Sequence, residues 1–204
     1  NNYKQMSWTG IISEAEYLRH SLPLIEQVLV SDPGNYLARA LKLQSELGFS
    51  EKFDPEERVR KVQELRDLLP LLSDSSYLRE LVALQLGFIQ NRKQEALEVL
   101  EAGLLIDPLA AGLLTRLGLT LRLMERYDEA LEALQRALKQ QPNDPNKYFD
   151  IADVKADLGD LYGALEWRRK GIQLDPQDHA LTAELADNFS ALRRLEAGNH
   201  WAAK

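Results

Sequence analysis

The residues that could do chemistry in this sequence are few and scattered. His20, His179 and His200 lie far apart, and none has a second ligand at the helical spacing that a zinc site uses. There is no cysteine, which excludes disulfides, thiolate metal sites and a cysteine nucleophile. Neither a glycine-rich phosphate loop nor a Gly-x-Ser-x-Gly nucleophile turn occurs. We therefore expect no catalytic residue, metal site or cofactor, and an enzyme only if a catalytic domain lies outside these residues.

Charge and hydropathy limit the classes of partner. The 32 acidic and 25 basic residues give a net charge of −7, whereas phosphate binding needs a concentrated positive face. The nearest basic cluster, "WRRK" at 167–170, lies between acidic neighbours and indicates a solvated helix face. No run of about 18 apolar residues occurs. We expect neither nucleic-acid binding nor membrane insertion, and a soluble protein of either the cytoplasm or the periplasm.

Both ends of the sequence indicate a fragment of a longer chain. The first residues, "NNYKQMSW", contain neither an initiator methionine nor the pattern of a signal peptide. The last residues, "GNHWAAK", stop without a helix-ending signal. We expect further sequence on either side of this piece.

The elements that would position any functional residue recur at a fixed period. Prolines that follow apolar helical runs stand at 108, 142 and 176, in two steps of 34. If each proline is position 32 of a unit, the units begin near residues 2, 36, 77, 111, 145 and 179. The step from 36 to 77 is longer than the period, and the extra sequence falls in 48–54, where an insertion costs little. This period predicts one solenoid of stacked helical hairpins over residues 1–204.

The unit from 111 to 144 shows the pattern of a helical hairpin most clearly. Gly118 allows the second helix to approach closely, and Asp128 is placed to cap that helix near its start. Pro142 follows its end, because proline cannot continue a helix. The buried stripes are formed by Leu114, Leu117, Gly118 and Leu121 on the first helix and by Ala130, Leu134 and Ala137 on the second.

The outer copies fit the period less well. In the first copy Pro23 interrupts the second-helix pattern, and the last copy supplies mainly a first helix. In the second copy, Asp54, Pro55 and Glu57 form a good helix start, with a cap, a proline at the first position and an acid three positions after the cap. We therefore interpret the first two copies as degenerate and the last as truncated.

The unit resembles a tetratricopeptide repeat, a family with small residues at positions 8, 20 and 27 and a proline at position 32. The copy at 145 matches with Ala152, Ala164, Gly171 and Pro176, whereas the copy at 77 departs with Leu84 at position 8. The resemblance implies an all-α fold, a right-handed superhelical solenoid of antiparallel helix hairpins. It also implies a protein-interaction module, a scaffold or adaptor that binds a peptide or partner helix in its concave groove.

The resemblance also implies which residues face that groove, since positions 2, 5, 9, 12 and 13 of each first helix line it in the family. The groove would be apolar in one part and acidic in another, which suits a basic or amphipathic protein segment. The lysines and asparagines that clamp a terminal carboxylate in some members are not present. The groove candidates are Phe88, Ile89, Arg116, Leu119, Arg122, Leu123, Phe149, Asp153, Asp157 and Asp187.

Three alternatives remain open at this point. The degenerate copy at 77 could be rotated, so that Phe88 and Ile89 lie in the core. The acidic residues could form an ordinary solvated face. The chain could instead be a sensory or oligomerising segment of a larger, membrane-anchored bacterial regulator, in which the apolar surface forms a homodimer.

Overall fold

The computed structural model describes residues 14–49, 54–72 and 75–175, and all regular secondary structure within these ranges is helical. The expectation of an all-α fold is confirmed there. A 3₁₀ segment, Leu69–Leu71, follows the helix Pro55–Leu68, and a π segment, Gln85–Ile89, continues the helix Ser76–Leu84. The helices are α1 Glu14–Ser31, α2 Tyr36–Phe49, α3 Pro55–Leu68, α4 Ser76–Leu84, α5 Lys93–Ile106, α6 Ala111–Leu123, α7 Tyr127–Gln140, α8 Pro145–Asp157 and α9 Leu161–Leu174.

The chain divides into two compact units, residues 1–99 and residues 100–204. In the first unit α2 packs against α1 and α3, and α4 contacts both α2 and α3. In the second unit α6 pairs with α7 and α8 pairs with α9, so that two helical hairpins follow each other in the sequence. The starts expected near residues 2 and 179 lie outside the described residues. The helices that begin at Tyr36, Ser76, Ala111 and Pro145 lie within one residue of the other four.

In each hairpin of the second unit, the two helices pack closely together at a glycine. A Cβ added to Gly118 on α6 would lie 2.5 Å from Cγ of Leu134 on α7 and 3.1 Å from the carbonyl oxygen of Ala130. A Cβ added to Gly171 on α9 would lie 2.5 Å from Cε2 of Phe149 on α8. Real Cβ atoms do not come this close to their neighbours, so both helix pairs depend on the missing side chain. The close approach predicted at Gly118 is confirmed.

Three successive turns between helices use the same backbone conformation at the same position. Asn91, Glu125 and Gly159 have φ angles of 54°, 60° and 81°, in the left-handed region, and they are separated by the same step as the prolines of the repeat. Each lies between the end of a first helix and the start of a second. Glycine adopts this conformation without steric cost and asparagine tolerates it, whereas glutamate does not favour it. The turn is therefore strained at Glu125.

Three local expectations need correction. Asp128 does not cap α7, because that helix begins at Tyr127 with Arg126 at the cap position. Asp128 lies in the first turn, where a carboxylate interacts favourably with the positive end of the helix dipole. Asp54 does precede the helix that begins at Pro55, but its side chain makes no capping hydrogen bond. Pro23 does not end its helix, since α1 runs from Glu14 to Ser31 with Pro23 inside it.

We predict that Glu125→Gly raises the free energy of unfolding by about 0.5–1 kcal/mol, because it relieves the left-handed strain. Gly159→Ala should lower it by about 1 kcal/mol. There is open space around a Cβ at Gly159, so that loss would come from the backbone alone. Urea unfolding of the two variants beside the parent chain measures both changes. If both substitutions changed the free energy of unfolding by the same amount and in the same direction, the strain assigned to Glu125 would be contradicted.

Candidate functional site

The groove candidates fall into the two units, which are considered separately. Phe88 and Ile89 belong to the first unit, and Asp187 lies outside the described residues. The remaining candidates belong to the second unit and lie on its two first helices, α6 and α8. They are Arg116, Leu119, Arg122, Leu123, Phe149, Asp153 and Asp157.

In the first unit the end of α4 widens into a π turn, which the sequence analysis did not predict. The turn is closed by the backbone N–H of Gln90, which donates to the carbonyl oxygen of Gln85 over 2.9 Å. Such a turn inserts one extra residue and so changes which face the following side chains occupy. Phe88 is 42% exposed and Ile89 is 51% exposed. The alternative that buries both residues in the core is therefore wrong.

In the second unit the acidic candidates are held by two arginines. Nη1 of Arg122 on α6 donates to Oδ2 of Asp153 over 2.7 Å, and its Nε donates to Oδ2 of Asp157 over 2.5 Å. Arg168 on α9 donates through Nη2 to the other oxygen of Asp153. Burial opposes the charge of Arg122, but the bonds to Asp157 and Asp153 outweigh it and raise its pKa above the ordinary value. The arrangement joins three predicted candidates into one charge-balanced cluster.

Arg168 is the member of this cluster that the sequence analysis missed. It belongs to the "WRRK" stretch that was interpreted as a solvated face, yet only 7% of its surface is exposed. Its guanidinium carbon lies 6.0 Å from the ring centroid of Phe149, within the range of a cation–π contact. The interpretation holds for Arg169 and Lys170, which are exposed, and is wrong for Arg168.

Phe149 lies in a different place from the groove position that the resemblance implied. It is 7% exposed and packs against Gly171 inside the hairpin of α8 and α9. Its ring therefore supports the buried part of the ionic cluster. Leu119 and Leu123 on α6 are half-buried, and both keep part of their surface exposed.

Asp150 on α8 is a second residue that the sequence analysis did not single out. Burial raises its pKa to about 6, and the nearby carboxylates of Asp153 and Asp144 add to the rise. The positive charges of Lys147 and Arg116 act in the opposite direction. Arg116 is a predicted candidate and is half-buried on α6. Its positive charge lowers the pKa of Asp150 on the neighbouring α8, against the effect of burial.

Comparison with known proteins agrees with the helical hairpins of the second unit. Residues 111–144, the hairpin of α6 and α7, match the tetratricopeptide repeat family. This part of the chain is a tetratricopeptide repeat. No curated protein matches the chain in sequence.

Solved structures share the fold, and two of the three named here are described as tetratricopeptide-repeat proteins. The type IV pilus biogenesis factor PilW is 20% identical with a TM-score of 0.70, and the match covers 93% of this chain and 86% of that one. A thermophilic TPR protein of Thermus thermophilus is 19% identical with a TM-score of 0.69, covering 92% and 95%. YrrB, described as having an unusual peptide-binding site, is 17% identical with a TM-score of 0.62, covering 89% and 90%. At these identities the similarity shows the tetratricopeptide-repeat fold.

Two further observations concern the described part of the chain. No helix there is both long and apolar enough to cross a membrane. In the same ranges, no three histidine, aspartate or glutamate side chains form a group that could hold a metal ion.

We predict that Asp153→Ala lowers the free energy of unfolding by about 1–3 kcal/mol, because it leaves the buried guanidinium of Arg168 without this carboxylate. Asp157→Ala is the matched control. It removes the same charge from the same helix, but Asp157 is bound to Arg122 at a more exposed site, so its loss should cost less than about 1 kcal/mol. Chemical unfolding measures both values. A larger cost at Asp157 would contradict the structural role assigned to Asp153.

We predict that Asp150→Asn stabilises the protein at neutral pH and not in acid. The folded-state pKa of about 6 lies above the ordinary 3.8, so folding favours the protonated carboxyl. That favourable contribution is complete below pH 3.8 and is lost as the pH rises through about 6. The asparagine variant stays neutral and should gain about 1–3 kcal/mol over the parent above pH ~6.5. Urea unfolding of both proteins from pH ~3.5 to ~7.5 measures the difference, and a gain that is independent of pH would contradict the prediction.

Proposed function

We propose that the chain is a scaffold or adaptor that holds a peptide or a partner helix against the first helices of its second unit, α6 and α8. One observation carries the proposal. Arg122 on α6 reaches both Asp153 and Asp157 on α8, so three of the groove candidates contact each other, which supports a binding face along these two helices. A segment laid across them would contact both helices at once.

The apolar residues of α6 supply the binding free energy in this proposal. Leu119 is three residues before Arg122 and therefore lies on the same side of the helix. Leu119 and Leu123 are half-buried and keep apolar surface exposed beside the ionic cluster. Apolar anchors of this kind contribute about 1–3 kcal/mol each when a partner covers them.

The charges of the cluster bear on which partner fits. Asp153 is bonded to two arginines and Asp157 to one, so the two carboxylates are already compensated. Their attraction for a basic segment is smaller than the sequence alone indicates. An amphipathic segment fits better, with apolar side chains on Leu119 and Leu123 and polar ones beside Asp157. The reported peptide-binding site of the structurally similar YrrB supports a peptide as the occupant.

We predict that Leu119→Asp weakens binding of peptides selected on the parent chain from a random phage-displayed library by at least about tenfold. The loss would come from placing a charge against the apolar side of the peptide. Fluorescence polarisation of the selected peptides measures it, and circular dichroism checks that helicity is unchanged. Leu109→Asp is the matched control in the same unit, because Leu109 is 62% exposed and lies between α5 and α6. Unchanged affinity in the Leu119 variant would contradict the assignment of this face.

The oligomerising alternative is favoured by a different group of residues. Leu105, Ile106 and Leu109 are 85%, 56% and 62% exposed, and they lie close together in the sequence. Exposed apolar surface of this kind often marks an interface. Sedimentation equilibrium of the parent and of the Leu109→Asp control separates the two functions. A dimer that dissociates in the control would favour self-association, whereas a monomeric parent leaves the peptide-binding function in place.

A further inference from the structure

A cleft of about 520 Å³ opens in the first unit between the start of α3 and the end of the π segment. This volume is within the range of ordinary ligand pockets. Two of its apolar residues, Val59 and Ile89, are 42% and 51% exposed, so they leave space and apolar surface for another side chain. The cleft is lined by Pro55, Arg58, Val59, Ile89, Gln90 and Arg92.

The side-chain amide of Gln90 presents a hydrogen-bond donor without an acceptor. Its oxygen accepts from Nη1 of Arg92 over 3.3 Å, which fixes the orientation of the amide. Its Nε2 is buried and has no hydrogen-bond partner within the described part of the chain. A buried donor of this kind is rare in folded proteins and needs an explanation. An acceptor atom of a bound ligand would supply the missing partner.

The charged residues that line the cleft are arginines. Arg58 donates through Nη1 to Oε1 of Gln85 over 3.2 Å, and Gln85 is only 2% exposed. This bond holds Arg58 against the buried π segment. A guanidinium carries five N–H donors, so Arg58 can keep Gln85 and bind a ligand oxygen at the same time. No aspartate or glutamate is among the six residues that line the cleft.

Arg92 belongs to a network of two arginines and two glutamates beside the cleft. It binds Glu95 through Nε and Nη2 over 2.6 and 2.5 Å. The same carboxylate also accepts from Arg66 over 2.5 Å, and Arg66 lies 3.4 Å from a carboxylate oxygen of Glu98, so two positive charges face two negative ones. The two arginines hold the pKa of Glu95 below its ordinary value, which keeps it ionised. Because this network is balanced, a ligand carboxylate would be held by the hydrogen-bond donors of Arg58 and Gln90 rather than by net charge from Arg92.

We propose that this cleft binds a segment of a partner protein in which an aspartate or glutamate stands next to a large aliphatic or aromatic residue. The apolar side chain would lie between Val59 and Ile89. The carboxylate would accept from Nε2 of Gln90 and from Arg58. The proposal uses apolar space and hydrogen-bond donors only, because none of the described residues that line the cleft is an aspartate or glutamate. It extends beyond the proposed peptide-binding face, which belongs to the other unit and depends on Leu119.

The probe is a capped octapeptide of alternating glutamate and leucine, titrated against the whole chain by fluorescence polarisation at low salt. Two counterparts accompany it, one with lysine for each glutamate and one with serine for each leucine. We expect the parent peptide to bind at least about tenfold more tightly than either counterpart, since each lacks one of the two contacts. Equal binding of the lysine peptide, or no saturable binding of the parent peptide, would overturn the proposal.

Three variants of the chain test whether the glutamate–leucine peptide binds in the cleft. Arg58→Ala and Gln90→Glu should each weaken the glutamate–leucine peptide by at least about fivefold, the second because it replaces a donor by an acceptor. Arg60→Ala is the matched control, since it removes the same charge from the same helix at an exposed residue outside the cleft. Its affinity should stay within about twofold of the parent. A loss in the control as large as in Arg58→Ala would show binding by net charge alone and would overturn the proposal.

The Leu119→Asp variant separates this proposal from the proposed function. It should leave the affinity of the glutamate–leucine peptide unchanged, because Leu119 does not line the cleft. If the cleft proposal fails, the library-selected peptides still test the Leu119 face. A loss of the glutamate–leucine peptide in the Leu119 variant would place its site on that face and overturn the cleft.

Discussion

The close contact of helix on helix at glycine determines the geometry of the second unit. Without a side chain at Gly118 and Gly171, the paired helices approach until Leu134 and Phe149 fill the space that a Cβ would take. The resulting distance between the paired helices suits one short turn. This explains why a residue with a left-handed backbone conformation recurs at the period of the repeat. Because successive hairpins have the same geometry, their first helices lie in the same register. Arg122 can therefore reach two carboxylates of the next first helix.

The polar groups on those first helices stabilise the fold as well as facing solvent. Arg168 is almost fully buried, and a buried guanidinium needs a carboxylate in place of water. Asp153 provides it, while its second oxygen binds Arg122. Asp150, a turn of helix earlier, has no comparable compensation and shows this in its raised pKa. The acidic residues of α8 thus divide into Asp153 and Asp157, which are paired with arginines, and Asp150, whose charge is opposed by burial.

The sequence was sufficient for the features that follow from periodicity. The repeat period predicted the helices that begin at Ala111 and Pro145, and the small residue at Gly118 predicted the close helix contact. It was not sufficient where a single inserted residue changes the face of the helix on which a side chain lies. The π turn at Gln85–Ile89 depends on packing that no local pattern specifies. Arg168 was misassigned because its partner, Asp153, lies on the preceding helix, too far away in the chain for a helical spacing to connect them.

The two proposed binding sites differ in their polar chemistry and should therefore differ in specificity. Where carboxylates and guanidiniums already satisfy each other, as around Arg122, a partner gains mainly from covering apolar surface. Contacts of that kind discriminate weakly between partners of similar shape. A buried donor that lacks an acceptor, as at Gln90, favours a ligand that brings one and disfavours a ligand that does not. Any strict choice of partner by this chain should therefore depend more on the cleft beside the π turn than on the Leu119 face.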